Sequence, residues 1–271
     1  MRHTLSYHQS TISYLRFGTG DRLLFCFHGF GDRAGIWYHL EKKLGKKFTF
    51  IAIDLPFHGQ TVWEQKTLQI RDFEAIVKNI LRIENKERFS LAGFSFGVRI
   101  VEQLLFSHSP VIDTILLFAP DGMGTKGLGN ATLLPVFLRR AVCFLLKKPD
   151  KIVKLVNWLH KKKLVGQPVY WFFSQNMSDT HRRKRIFFYW LSLDDFEVKL
   201  SLFKKKLQET GVITHVFLGK HDEITPLSIG TFLTANAPNV QLYIVESGHQ
   251  ILAHLPDFDV SRTSVRESFT D

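Results

Sequence analysis

Gly93-Phe94-Ser95-Phe96-Gly97 places a serine between two glycines, and its setting points to nucleophilic chemistry. The apolar run 89–92 reads as a buried strand before it, and 98–106 has helical spacing after it. A serine on a sharp strand-to-helix turn is held in a strained backbone where only small neighbours leave room. Gly93 and Gly97 supply that room. Such a turn presents the hydroxyl at the carboxyl end of a sheet and the amino end of a helix, where backbone N–H groups stabilise developing negative charge. Gly-x-Ser-x-Gly also arises by chance, so the chemistry has to be argued from its partners.

A serine that attacks an ester needs a base to take its proton, a group to orient that base, and donors for the oxyanion. Histidine suits the base because its pKa lies near working pH. The chain has 12 histidines, so residue type selects nothing and position decides. His249, in Ser247-Gly248-His249-Gln250, follows the last expected strand, and Asp222, in Gly219-Lys220-His221-Asp222, follows the one before. Both fall at the sheet end that carries Ser95. The chain order Ser95, Asp222, His249 is that of nucleophile, acid and base in one known arrangement.

The elements that must position these residues follow from apolar patterning. Residues 11–17, 23–27, 48–53, 113–119, 212–218 and 241–245 read as further strands, and Gly18-Thr19-Gly20-Asp21 as a hairpin turn between the first two. Residues 36–44 and 71–83 read as helices, the second with Phe73, Ile76, Ile80 and Ile83 on one stripe. Strands alternating with helices predict an α/β fold with a mostly parallel central sheet and helices on both faces. About 90 residues separate Pro120 from Val212, too many for a simple loop. Gly122, Gly124, Gly127 and Gly129 open that segment, and 133–146, 151–160, 180–191 and 196–207 read as helices. The expected organisation is a core of residues 1–120 and 212–271 with an inserted helical cap, 121–211.

These motifs, together with His28-Gly29-Phe30-Gly31 and Asp54-Leu55-Pro56-Phe57-His58-Gly59, make the chain resemble an α/β-hydrolase of the capped esterase and lipase type. The resemblance runs from about position 10 to 255 and misses only the cap. It implies Ser95 as nucleophile, His249 as base and Asp222 as the orienting acid, with the backbone N–H groups of Phe30 and Phe96 as oxyanion donors. Some relatives place the acid after the strand that here ends at Pro120, which makes Asp121 the rival of Asp222. The family usually has glycine where Phe57 stands, and a firmer helix after the histidine than 257–261 offers. The implied reaction is hydrolysis of a carboxylic ester through an acyl-enzyme, with no cofactor. Thioester and carbon–carbon hydrolysis by the same triad, and a non-catalytic ligand-binding member of the fold, are the alternatives.

Other histidines have structural readings. His28 is expected beneath the oxyanion loop, and His58 and Asp54 are expected to pin their turn. His221 and His254 lack metal-ligand spacing, and no phosphate-binding glycine loop with a following lysine is present. Neither a metal nor a nucleotide is therefore expected.

At 45% hydrophobic and 23% charged, the chain has the composition of a folded globular protein. Cys26 and Cys143 make no disulfide framework. The sequence reads without a signal peptide and without the roughly 18 apolar residues of a membrane span, so the expected location is cytoplasmic, with peripheral membrane contact as a variant. The formal net charge is +11. Between Asp121 and Trp190, 14 Lys and Arg stand against 3 Asp and Glu, and that difference is the whole excess. Basic clusters and aromatics alternate there, as in Arg182-Arg183-Lys184-Arg185 before Phe187-Phe188-Tyr189-Trp190. The plainer reading is solvated helix faces over an apolar acyl pocket. The sharper one is a basic face for an acidic acyl carrier protein or an anionic membrane surface. Nucleic acid is not expected, since no module that reads it is present.

Overall fold

The most apolar segments of the chain make the middle of its sheet. In this computed structural model, which describes residues 1–65, 67–120, 149–177 and 179–261, β3 (Arg22–Phe27), β4 (Phe48–Ile53), β5 (Phe89–Phe94) and β6 (Ile112–Phe118) run parallel in the order β4-β3-β5-β6. Every residue of β4 and β5 is buried, as strands covered on both faces must be. β7 (Ile213–Gly219) and β8 (Val240–Val245) continue the parallel run on one side. β1 (Arg2–Tyr7) and β2 (Ser10–Phe17) close the other side antiparallel, giving β1-β2-β4-β3-β5-β6-β7-β8.

Side chains alternate across the pleat and feed two cores. Phe25, Phe27, Ile51 and Ile53 pack with α2 (Ile70–Ile83) and α3 (Gly97–His108) through Phe73, Ile76, Ile80, Val101 and Leu104. Leu24, Cys26, Phe50 and Ala52 face the other way, onto Trp37 of a 3-10 turn (Ala34–Trp37) and Leu40 and Leu44 of α1 (Tyr38–Leu44).

Three expectations are corrected. Residues Gly18 to Asp21 form no hairpin, because β4 lies between β2 and β3 and pairs with both. The two glycines instead slip past the start of β4: a Cβ on Gly18 would stand 2.3 Å from the Phe48 carbonyl oxygen, and one on Gly20 2.0 Å from the Lys47 carbonyl carbon. The hairpin of this region joins β1, a strand the patterning did not reveal, to β2 through His8 and Gln9. Ile83 ends α2 at 59% exposure, and Val77 takes its place on the buried stripe.

Between β6 and β7 the described residues form α4 (Pro149–Lys161), α5 (Gln167–Met177), α6 (Thr180–Ser192), a 3-10 turn (Leu193–Phe196) and α7 (Leu200–Thr210). α4 and α6 stand where helices were expected. α5 was not foreseen, nor was the short α8 (Ser228–Thr234), and α7 starts later than expected because the 3-10 turn precedes it. The helix expected over 133–146, the four glycines at the entry, Asp121 and Cys143 lie outside the described residues. Among the described residues no helix is long and apolar enough to cross a membrane.

Candidate active site

Ser95 sits where β5 turns into α3, with φ of +49°. For a residue with a Cβ this left-handed conformation costs about 1 kcal/mol or more, and surrounding contacts must hold it. The Ser95 amide donates to the Phe118 carbonyl at 2.9 Å, and the Val98 amide donates to the Ser95 carbonyl at 3.0 Å. Neither neighbouring glycine admits a side chain. A Cβ on Gly97 would lie 1.9 Å from the Phe27 carbonyl oxygen, and one on Gly93 2.7 Å from Val98 Cα. The amide of Phe96 lies at the start of α3, where helical amides have no intrahelical acceptor.

The loops after β7 and β8 bring the other two residues to Ser95. They are laced by hydrogen bonds from the Lys220 amide to the Val245 carbonyl (2.8 Å) and from the His221 amide to the Ser247 carbonyl (3.0 Å). His249 Nδ1 donates to Asp222 Oδ2 at 2.8 Å, which leaves Nε2 to accept from Ser95 Oγ at 2.9 Å. Asp222 has a fully buried side chain whose Oδ1 accepts from the Ile224 and Thr225 amides at 2.8 and 3.0 Å. Burial pushes its carboxyl up, but the His249 bond and these amides outweigh burial and hold it below its ordinary value. Asp222 thus stays ionised against the imidazole.

The loop after β3 is built over two buried histidines. His28 Nδ1 donates to the Gly29 carbonyl at 2.8 Å, and its Nε2 accepts from the Leu55 amide at 3.0 Å. Burial drives its pKa down to about 4. His58 Nδ1 donates to the Pro56 carbonyl (2.8 Å), its Nε2 accepts from the Gly31 amide (2.9 Å), and burial again lowers its pKa. Both rings are spent on backbone groups and carry Phe30 between them. Asp54, also buried, accepts from the Ala34 and Gln60 amides (2.8 and 3.1 Å) and pairs with Arg2 at 2.5 Å. A Cβ on Gly59 (φ +53°) would meet the Asp54 carboxylate at 2.1 Å, so that turn requires glycine.

Two residues that the sequence reading placed only in the basic and aromatic clusters of the cap, and a third, Asp32, that it gave no role, also reach this place. Tyr189 of α6 packs its ring on Phe30, His58 and Phe96, at centroid distances of 5.6, 5.3 and 4.7 Å. Arg185, one turn earlier, has its guanidinium carbon 5.2 Å over the Phe30 ring. Asp32 folds its carboxyl back toward Gly29, and burial pushes its pKa up to about 6 against the pull of His249 and Arg185. The i, i+4 spacing of Arg185 and Tyr189 was the available signal for a shared helix face.

Among the described residues no three His, Cys, Asp or Glu side chains are grouped to hold a metal ion. His221 Nε2 instead lies 3.2 Å from Glu246 Oε2 at the surface.

Residues 23–260 match the model of the alpha/beta hydrolase family. The chain is 23% identical over 245 residues to the uncharacterized hydrolase YugF of Bacillus subtilis, across 88% of this chain and 87% of that protein. It is 22% identical over 261 residues to a pimeloyl-(acyl-carrier protein) methyl ester esterase of Legionella pneumophila, across 89% of this chain and 90% of the esterase. An uncharacterized protein of Mycobacterium tuberculosis is 27% identical over 106 residues, a stretch that spans 39% of this chain and 31% of that relative. Among solved structures, MGS-M2, an alpha/beta hydrolase enzyme from a deep-sea metagenome library, aligns over 92% of this chain and 91% of its own, with a TM-score of 0.66 at 16% identity, a likeness of fold alone. With a family model matched across most of its length and the sheet order to go with it, the chain belongs to the alpha/beta hydrolase family.

Proposed function

We propose that the protein is a serine hydrolase that cleaves carboxylic esters through an acyl-enzyme. The observation that carries this reading is the single imidazole spanning Ser95 Oγ and the buried Asp222 carboxylate, at 2.9 and 2.8 Å. Ser95 Oγ attacks the ester carbonyl as His249 Nε2 takes its proton. Asp222 keeps the Nδ1 proton in place and stabilises the imidazolium that forms. The amides of Phe30 and Phe96 receive the oxyanion. His249 returns its proton to the departing alkoxide. A water activated by the same imidazole then releases the acid, and no cofactor enters.

The core of residues 1–120 and 212–271 supplies this machinery in our reading, and the cap of 121–211 selects the substrate. Thioesters and activated carbon–carbon bonds are open to the same triad, so the pocket rather than the triad distinguishes them. A docked acyl carrier protein is favoured over a membrane surface by the Legionella relative, whose named substrate is carrier-bound.

Fluorophosphonate labelling and hydrolysis of p-nitrophenyl esters of rising chain length test the reaction. Labelling and turnover that both vanish in Ser95→Ala support it, whereas a wild-type protein that takes no label is a ligand-binding member of the fold. Carrier docking on the basic cap predicts that turnover of a carrier-linked ester falls steeply with salt while a small ester is indifferent. Equal salt response removes the carrier.

A further inference from the structure

The basic run of α6 is not one surface. Arg182 and Lys184 are exposed, and Arg182 donates to the Gln175 carbonyl at 2.9 Å. Arg183 is spent on the Met177 carbonyl and the Thr180 hydroxyl. Arg185 turns inward instead. It is half-buried, lies over Phe30, and is close enough to His28, His58 and Asp32 to perturb their titration. Its Nε is buried with no acceptor, and the guanidinium makes no ion pair among the described residues.

A partly desolvated cation without a counter-ion is costly, and a ring face offsets only part of that cost. The neighbouring charges define what completes it. His28 and His58 are neutral at physiological pH, Asp179 and Asp32 act on Arg185 without forming an ion pair with it, and the exposed Arg182 opposes them. One positive charge with no ion-pair partner among the described residues fits a monoanion. A guanidinium fork matches the two oxygens of a carboxylate, whereas a doubly charged phosphate calls for a second inward cation. Tyr189, one turn on along the same helix, packs on Phe30 and on Phe96, the residue after Ser95, and Arg185 lies over that same Phe30 ring. An anchor that serves both half-reactions holds the group that remains after the alcohol leaves, which is the acyl part.

We propose that Arg185 is a substrate-anchoring residue that pairs with a free carboxylate on the acyl chain, making monoesters of dicarboxylic acids the preferred substrate class. The proposal rests on the serine-ester reading above and names, in place of a carrier-linked ester, a free dicarboxylic monoester as the substrate of that same site.

Two measurements separate the anchor from the chemistry. In the first, monomethyl and dimethyl esters of glutaric, adipic and suberic acids are titrated calorimetrically into Ser95→Ala and into Ser95→Ala/Arg185→Gln. The monoester should bind Ser95→Ala about tenfold or more tightly than the diester, and that preference should disappear in the double variant. In the second, the ratio of kcat/KM for mono-p-nitrophenyl adipate over its methyl-capped neutral analogue is compared. It should exceed about tenfold in wild type, survive in part in Arg185→Lys, and fall to within about threefold of unity in Arg185→Gln. Equal binding of the two esters, a wild-type ratio near unity, or a preference that persists in Arg185→Gln overturns the anchor. Turnover without carboxylate preference leaves the hydrolase reading intact and removes the anchor. Arg185-dependent binding without turnover or Ser95 labelling does the reverse. Arg185→Lys, which keeps the charge, guards against an Arg185→Gln protein that fails to fold.

Discussion

Phe57 stacks on Phe188 of α6, ring centroids 4.4 Å apart, from a backbone held at φ +62°. Glycine adopts that conformation freely, and a residue with a Cβ pays about 1 kcal/mol or more for it. The stack returns about 0.5–1.5 kcal/mol beyond the apolar area it covers. Phe57→Gly removes both strain and stack, whereas Phe57→Ala removes the stack and keeps the strain. Melting temperatures should therefore fall in the order wild type, Phe57→Gly, Phe57→Ala, with Ala lower by about 2 kcal/mol. Amide exchange should quicken in α6 and stay unchanged in β3 to β6. A glycine variant that outlasts wild type with α6 still protected would show that the stack does not fasten the helix.

Gly97→Ala tests the turn itself. The added methyl has nowhere to go, since its Cβ would stand 1.9 Å from a carbonyl oxygen at the end of β3. Either α3 withdraws from the sheet or the chain loses stability, by about 3 kcal/mol on the scale of overpacked cores. Fluorophosphonate labelling of Ser95 should fall in step with the melting temperature. A variant that melts and labels like wild type would mean that α3 approaches β3 less closely.

The residues that were readable share one property: local sequence determines them. Buried parallel strands such as β4 and β5 are unbroken apolar runs, and Gly93 and Gly97 announce a tight turn by themselves. The crossing at Gly18 and Gly20 was misread because a hairpin and a crossover use the same turn residues, and which strand intervenes is decided far along the chain. β1 hid because Arg2-His3-Thr4-Leu5-Ser6-Tyr7 is an edge strand with alternate residues exposed. α5 went unread, and Pro168 stands in its first turn, where proline is well tolerated. Arg185 was lost in a four-residue basic run because charge counts ignore the 100° step that turns one member inward.

Asp222→Asn isolates the orienting acid. The Asn oxygen can still accept from the Ile224 and Thr225 amides, which leaves its NH2 facing His249 Nδ1. The imidazole must then carry its proton on Nε2, toward Ser95, and cannot accept from the hydroxyl. In the proposed mechanism kcat for a p-nitrophenyl ester falls by about 10³–10⁴ with KM little changed. If Asp121 were the acid, Asp222→Asn would lose less than about tenfold and Asp121→Asn would carry the large loss.

Acid should unfold this protein earlier than its carboxylates alone dictate. Burial lowers His28 and His215 to about 4, and lowers His58 as well, from an ordinary value of 6.5. Each folded-state pKa lies below the unfolded one, so between about pH 6.5 and 4 the unfolded chain binds protons that the folded chain refuses. Stability is full above that window and declines within it, with a slope approaching about 1.4 kcal/mol per pH unit for each histidine. Urea midpoints should be level from pH 8 to 7 and drop between 6 and 5. A level profile down to pH 5 would mean that these rings take up protons in place.

Asp32 titrates in the opposite sense. Its folded pKa, near 6, lies above the ordinary 3.8, so its contribution is intact below 3.8 and lost as pH rises through 6. At pH 8 the ionised carboxylate is a partly buried charge, and Asp32→Asn should be more stable than wild type by on the order of 1 kcal/mol once partial solvation is allowed for. The gain should vanish near pH 4, where both side chains are neutral. The same substitution removes the one anion that acts on Arg185 from the loop after β3. At pH 8 it should therefore raise the preference for a carboxylate-bearing ester over its neutral analogue severalfold, and at pH 5 it should change that preference little. Coincident urea curves at pH 8, with an unchanged preference, would show that the Asp32 carboxylate already lies in water and bears on neither Arg185 nor the substrate.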